Sequence, residues 1–302
     1  MRSNERAVGV ALILMSSTAF GLAPTFAKLA YDSGASVVGT MLARFTVATL
    51  LMLVVRKVST REVSWPTPKL FGQLFLLGAI GYFIAALLYF TALDRIDSGL
   101  AIVIFNCNPL IVVLLSWWIH GHKPSRLIVI CLVSTLVGVA ITVGQVGNAD
   151  TFSVVLVLIV AVEYAIYMIA SSRVLPKVDL LTGVTIVMFG AACSFFIYWL
   201  VSPASVAVQF PETALGWTSI VLIAVVSTVF PTATFYAGLK RIGTGKTAVI
   251  TTFEPVAAIF AGVVFLSEPL TMPRIIGAIF VIGAVAALAT AESRNEAAIL
   301  HQ

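Results

Sequence analysis

The sequence predicts an all-α membrane protein with ten transmembrane helices, arranged as two inverted five-helix repeats with both termini in the cytoplasm. Three observations support this fold class. Sixty per cent of the 302 residues are hydrophobic and only 10% are charged, whereas a soluble domain carries about 25% charged residues. The apolar residues fall into ten stretches of the length that a bilayer requires. One long segment also recurs 146 positions later in the chain.

The ten predicted spans are joined by short loops, so no separate soluble domain is expected. Numbered in chain order, the spans are 7–30, 36–55, 70–92, 98–119, 126–144, 152–172, 180–201, 215–238, 246–266 and 274–290. The apolar run that begins at Ala7 is longer than the hydrophobic core of about 7–15 residues in a signal peptide. We therefore expect it to remain in the protein as span 1.

The recurring segment indicates an internal duplication. Residues 89–110 and 235–256 align without a gap and share seven of 22 residues, including a Leu-x-Arg-Ile-x-x-Gly core and the pair Pro109/Pro255. The offset contains five spans, an odd number, so the two halves should have opposite topology. Inverted repeats of this kind are typical of secondary transporters. The predicted repeats are residues 1–146 and 147–302.

Basic residues predict the orientation. With the N-terminus in the cytoplasm, fourteen Lys and Arg residues lie at cytoplasmic ends and three at the opposite ends. Cytoplasmic loops are enriched in Lys and Arg, so both termini are expected inside a multi-pass protein of the inner cell membrane. The net charge of +5 is explained by this bias, and a nucleic-acid partner is not expected.

Enzymatic and cofactor sites are not predicted. The three histidines all lie outside the spans, so an intramembrane serine hydrolase would lack its base. His120 and His122 have no acidic or cysteine companions that would suggest a metal. Residues 243–247 resemble the end of a P-loop, but Lys240 occupies the position of the first glycine, so nucleotide binding is not expected.

Prolines inside the spans are predicted to act as hinges, because a proline removes a backbone hydrogen bond and bends its helix. These prolines are Pro24, Pro109, Pro231 and Pro255. Asn106, Asn108 and Glu254 flank two of the predicted kinks. They either pair locally with freed backbone groups or line a central cavity, where such groups can also meet water.

Charged side chains inside the spans form a second group of candidates. Glu163 and Glu254 are central in spans 6 and 9, while Arg44 and Lys28 are the available basic partners. Charges inside a membrane usually pair or face a wet cavity. The alternatives are a structural ion pair, for example between Arg44 and Glu163, contact with substrate, or carriage of a proton. If one side of the cavity carries charge chemistry, Glu254 predicts that it is the side lined by span 9.

Aromatic side chains form the third group. Tyr82 and Tyr89 share one face of span 3, and Tyr164 and Tyr167 lie beside Glu163 in span 6. Phe230 precedes Pro231 in span 8. A tyrosine deep in a span needs a partner for its hydroxyl. These residues are therefore candidates for a cavity that accepts flat or apolar groups.

The chain as a whole resembles the drug/metabolite transporter superfamily, specifically its EamA-type members. The resemblance lies in Ala19-Phe20-Gly21, Arg44-Phe45, the paired ends 92–96 and 238–242, Asn108-Pro109, Glu254-Pro255 and Ser267-Glu268-Pro269-Leu270. The first half departs from the family pattern at residues 121–124, Gly-His-Lys-Pro, where members often have a Glu.

The resemblance implies transport of small metabolites by alternating access around a central cavity. It favours amino acids, aromatic ones included, as in the YddG-like exporters. Direction and the choice between proton coupling and facilitated diffusion stay open. The expected partners are a small-molecule substrate, the bilayer and, in the coupled case, protons. The alternatives are a superfamily transporter of drugs or other metabolites, and a membrane binding or signalling protein on the same scaffold.

Overall fold

The computed structural model describes residues 2–59, 63–108, 111, 115, 126–144, 150–203, 208–242, 247, 250–251 and 253–299. In this part of the chain the regular structure is helical and contains no strand, as the sequence predicts. The helices of the first half are α1 (Arg2–Gly21), α2 (Ala23–Asp32), α3 (Val37–Ser59), α4 (Pro68–Leu76), α5 (Phe83–Leu93), α6 (Ser98–Phe105) and α7 (Arg126–Gly144). Those of the second half are α8 (Thr151–Val174), α9 (Leu180–Val201), α10 (Ala214–Ala224), α11 (Phe230–Ile242), α12 (Glu254–Leu266) and α13 (Met272–Ile299).

Six helical stretches of the described chain are long and apolar enough to cross a membrane. They are Glu5–Asp32, Val37–Val58, Pro68–Leu93, Thr151–Lys177, Leu180–Val201 and Ala214–Leu239. Predicted spans 4 and 9 run through residues outside the described part. Helix α13 continues nine residues beyond the predicted end at residue 290, because the polar segment that follows is rich in Ala, Glu and Arg, which favour helix.

Two of the predicted proline hinges coincide with helix breaks. Helix α1 ends at Gly21, and Pro24 lies in the first turn of α2. Pro255 lies in the first turn of α12, which follows the turn residue Phe253. These two prolines therefore occupy positions that cost no helical hydrogen bond. Pro231 follows the π-helical residues 225–229 within a continuous helix, and Pro109 lies outside the described residues.

Two π-helical segments interrupt spans 3 and 8 at matching places. They are Leu77–Tyr82, between α4 and α5, and Val225–Val229, between α10 and α11. Shifted by 146 positions, the first segment overlaps the second. A proline, Pro231, follows the segment Val225–Val229, but none follows Leu77–Tyr82. The first half therefore keeps the π-helical turn without a proline. Such π-bulges occur frequently at functional sites.

The two halves pack against each other through equivalent helices. Helix α1 packs on α11 of the other half, and α8, its counterpart, packs on α5. Helix α3 packs on its own counterpart α9, and α7 packs on α13 in the same way. This reciprocal arrangement is what two related halves produce around a pseudo-two-fold axis.

The contact between α7 and α13 requires a residue without a side chain. A Cβ added at Gly138 would lie 2.7 Å from the Gly277 carbonyl oxygen and 2.8 Å from Phe280 Cβ. Beside it, the Ser134 hydroxyl donates to the Phe280 carbonyl at 3.2 Å, and these two residues are 146 positions apart. The close approach therefore lies where equivalent positions of the two halves meet.

Replacing Gly138 with Ala should destabilise the protein by about 1–3 kcal/mol, because the added methyl group overpacks this contact. The measurement is thermal unfolding of the purified protein in detergent. Gly283→Ala is the matched control on α13, since a Cβ there meets no atom within 4 Å. Equal melting temperatures for the two variants would show that the α7–α13 contact is not tight.

Candidate functional site

Six aromatic rings, four from the first half and two from the second, form a continuous chain of contacts that is here called the aromatic cluster. In order of contact they are Phe45, Tyr82, Tyr167, Tyr164, Phe105 and Tyr89. Successive ring centroids lie 5.2–5.9 Å apart, which is the usual spacing of interacting rings. The structure therefore brings together the four tyrosines that the sequence predicts for a cavity.

Phe45 and Phe105 are the two cluster members that sequence reasoning missed. Phe45 follows Arg44 on α3 and is fully buried against Phe195, with centroids 5.5 Å apart. Phe105 is the last residue of α6, directly before the turn at Asn106 and Cys107. Both stand next to a polar residue inside an apolar helix, and that adjacency is the signal that could have identified them.

The π-helical segment 77–82 lets α8 approach span 3 closely. A Cβ at Gly81 would lie 2.7 Å from Cδ2 of Tyr167 and 3.6 Å from Oε1 of Glu163. Any other residue at position 81 would push the Tyr167 ring away, whereas Glu163 is at ordinary contact distance. Gly81 therefore allows Tyr167 to pack against span 3 beside Glu163.

Glu163 lacks a partner of opposite charge. Its Oε2 atom is buried and has no hydrogen-bond partner, and no basic group of the described residues forms an ion pair with it. An unpaired charge inside a membrane costs at least about 3 kcal/mol. The site is therefore prepared for a cation or a proton that the described part of the protein does not provide.

Arg44 has partners other than Glu163, which corrects the ion pair considered from the sequence. Its Nε donates to the Thr228 hydroxyl at 3.1 Å, and its Nη1 lies 3.8 Å from the Met41 sulfur. The guanidinium carbon lies 5.1 Å from the ring centroids of both Phe45 and Phe90. No ion pair joins Arg44 and Glu163 in the described structure.

Lys28 does form an ion pair, but with Glu268, which sequence reasoning used only as part of a family signature. Lys28 Nζ lies 3.7 Å from Glu268 Oε1, and Arg274 Nη1 lies 3.8 Å from Glu268 Oε2. Arg274 also pairs with Asp97. These four side chains connect span 1 with the loops before α6 and after α12.

The same carboxylate caps the N-terminus of α6. Glu268 accepts from the backbone N–H groups of Ser98 at 2.7 Å and Gly99 at 3.2 Å. The first N–H groups of a helix have no partner within the helix, and they carry a partial positive charge that favours a carboxylate. Glu268 therefore holds α6 in position beside the aromatic cluster.

Two other predicted site residues, Asn106 and Asn108, form hydrogen bonds to nearby backbone carbonyls. Asn106 Nδ2 donates to the Ile102 carbonyl at 2.8 Å, and Asn108 Nδ2 donates to the Phe105 carbonyl at 3.1 Å. Their amides thus satisfy carbonyls at the end of α6. Phe230 is 38% exposed and forms no ring contact with the cluster in the described structure.

Glu254 is the first residue of α12, and its side chain is half-buried. The carboxylate forms no ion pair among the described residues and interacts electrostatically with Tyr89 of the aromatic cluster. The backbone of Glu254 packs against the break in span 1, since a Cβ at Gly21 would lie 2.6 Å from the Glu254 carbonyl oxygen. No group of three His, Cys, Asp or Glu residues that could hold a metal occurs in the described part of the chain; His120 and His122 lie outside it.

Two stretches of the chain, residues 7–144 and 151–290, match the model of the EamA-like transporter family. The chain belongs to this family. Because the family is one of transporters, the protein is a multi-pass membrane transporter. Its two EamA repeats correspond to the two halves whose equivalent helices pack together.

Relatives of similar length are also described as transporters. The chain is 24% identical over 287 residues to an uncharacterized transporter of Bacillus subtilis (strain 168), YcbK, with 90% of each chain covered. It is 24% identical over 234 residues to an uncharacterized transporter of Archaeoglobus fulgidus, with 78% of this chain and 82% of that protein covered. A crystal structure with 19% identity and a TM-score of 0.64 covers 95% of this chain and shows the same fold.

Glu268→Ala should destabilise the protein by roughly 3–5 kcal/mol, because it removes the buried carboxylate that Lys28, Arg274 and the N-terminus of α6 share. Thermal unfolding in detergent measures the change. Glu212→Ala, in the exposed loop before α10, is the control and should leave the melting temperature unchanged. Equal stability of the two variants would mean that Glu268 does not hold α6.

Proposed function

We propose that the chain is a secondary transporter of amino acids, aromatic ones included, that works by alternating access. In this proposal ten spans cross the inner cell membrane as inverted repeats, 1–146 and 147–302, with both termini in the cytoplasm. Membership of the EamA-like family supports transport. The aromatic cluster and its charged neighbours support the substrate class, which would make the protein similar to the YddG-like exporters.

The unpaired carboxylate of Glu163 is the observation that carries the proposal. A buried carboxylate without a cation attracts one, and the ammonium group of an amino acid is such a cation. The faces of Tyr164 and Tyr167, which stack with centroids 5.8 Å apart, also attract cations. The remaining rings of the cluster offer apolar surface to a flat side chain.

The helix breaks support alternating access. Span 1 breaks at Leu22, which follows Gly21, and its break packs on the break before α12. The π-helical segments add a second pair of irregular turns, one in each half. Hinges are typically a few residues at the ends of rigid elements that absorb backbone rotation. In this proposal Pro24, Pro109, Pro231 and Pro255 mark those places.

Purified protein in liposomes should accelerate the flux of a labelled aromatic amino acid. Glu163→Gln should lower that flux at least about tenfold, since it removes a charged hydrogen-bond acceptor, while Glu212→Gln should leave it unchanged. The melting temperature of Glu163→Gln should be equal to or higher than that of the wild type, because an unpaired buried charge is lost.

Two results would contradict the proposal. One is the absence of accelerated flux across a broad amino-acid panel, in which case drugs and other metabolites become the substrates to test. The other is saturable binding of an amino acid without any flux, which would favour a binding or signalling protein on a transporter scaffold. Loss of flux accompanied by unfolding of Glu163→Gln would assign this residue a structural role.

A further inference from the structure

Arg44 is a buried cation, and most of its N–H groups have no acceptor among the described residues. It lies in the N-terminal half of α3 and is only 4% exposed. A guanidinium carries five N–H donors. Among the described residues only two acceptors are present, the Thr228 hydroxyl on Nε and the Met41 sulfur near Nη1. Its Nη2 has no acceptor within the described structure.

The charge of Arg44 also lacks a counter-ion. None of the ion pairs between described residues includes it, whereas Lys28 and Arg274 both pair with Glu268. The rings of Phe45 and Phe90, each with its centroid 5.1 Å from the guanidinium carbon, offset part of the charge. A buried cation without an anion is costly, so the arrangement favours an anion supplied from outside the chain.

We propose that Arg44 binds the carboxylate group of the substrate. This inference rests on the proposed function, because an amino acid carries such a group. The planar guanidinium matches a carboxylate by two parallel hydrogen bonds. One guanidinium balances the single charge of a carboxylate. A phosphate carries a charge of about −1.5 to −2, and no second free cation that could balance it lies beside Arg44 in the described structure.

The position of Arg44 connects this carboxylate subsite with the aromatic cluster. Phe45, whose ring lies beside the guanidinium, contacts Tyr82, and Tyr82 contacts Tyr167 next to Glu163. Opposite charges without partners therefore stand on two sides of the same rings, which complements a zwitterion. Nearby, the hydroxyl of Tyr89 is buried and has no partner in the described structure.

Thr228 orients the guanidinium. It accepts from Arg44 Nε and donates to the Ile223 carbonyl at 2.9 Å. Thr228 belongs to the π-helical segment Val225–Val229, so Arg44 of the first half is held by the irregular turn of the second. The remaining N–H groups of Arg44 are left for a ligand.

A series of four probes tests the inference by thermal stabilisation of the purified protein. The probes are phenylalanine, its amide, 3-phenylpropanoate and phenylethylamine, so that the carboxylate and the amine are removed separately. Stabilisation by a ligand grows with its concentration relative to its Kd. Wild-type protein should bind phenylalanine at least about tenfold more tightly than its amide, since a charged hydrogen bond is lost with the carboxylate. Inorganic phosphate should give no shift.

Arg44→Gln should reduce the preference for the acid over the amide to about one, and Arg44→Lys should retain part of it, because the charge remains but the planar fork is lost. Arg173→Gln, at an exposed position at the end of α8, is the control. Equal binding of acid and amide by the wild type overturns the inference, even if Arg44→Gln fails to fold. A preference that persists in Arg44→Gln also overturns it.

The probes separate this inference from the proposed function. If 3-phenylpropanoate stabilises the protein through Arg44 but phenylalanine is neither bound nor transported, the carboxylate subsite stands and the amino-acid assignment falls. If phenylalanine is transported without any preference for the acid, the proposed function stands and the role of Arg44 falls. No shift with any of the four probes overturns the inference.

Discussion

Charge compensation inside an apolar bundle is the constraint on which the rest of this structure depends. Glu268 meets it fully, because its carboxylate pairs with Lys28 and Arg274 and accepts from two N–H groups of α6. Arg44 and Glu163, by contrast, have no opposite charge to compensate them among the described residues. A membrane interior makes the contrast informative, since an unpaired charge is retained there only where a ligand, water or a proton can reach it. The ion pairs of Glu268 are therefore structural, whereas Arg44 and Glu163 belong to the candidate site.

Duplication supplies the scaffold, and divergence between the halves supplies the site. Shifted by 146 positions, Tyr82 corresponds to Thr228, Tyr167 to Gly21, and Arg44 to Gly190. At each of these pairs one half keeps an aromatic or charged side chain and the other half keeps a small residue. In the structure two of the small residues are contact surfaces: Thr228 holds Arg44, and Gly21 lets α12 approach span 1. Both halves therefore contribute recognition groups, Arg44 and Tyr82 from the first and Glu163 and Tyr167 from the second.

Patterns along the chain predicted the helices, the duplication and the grouping of Tyr82, Tyr89, Tyr164 and Tyr167, because periodicity and local residue type determine these features. Partners in space were harder to predict. Lys28 was considered as a partner for the carboxylates inside the spans, but it pairs with Glu268, which lies 240 positions away, beyond any local pattern. Arg44 and Glu163 are matched in charge, yet Arg44 bonds to Thr228 instead. The expectation that charge chemistry lies with Glu254 stays a prediction, since Glu254, like Arg44 and Glu163, has no ion-pair partner among the described residues.

The central claim is that substrate binds against the aromatic cluster between the two halves. Labelling with a photoreactive aromatic amino acid, followed by mass spectrometry of the labelled peptides, tests it most directly. The account predicts that adducts concentrate in residues 78–94, 100–108 and 158–170 and disappear when excess phenylalanine competes. Competed adducts confined to α12 and α13 would contradict it, because the substrate would then bind away from Arg44 and Glu163.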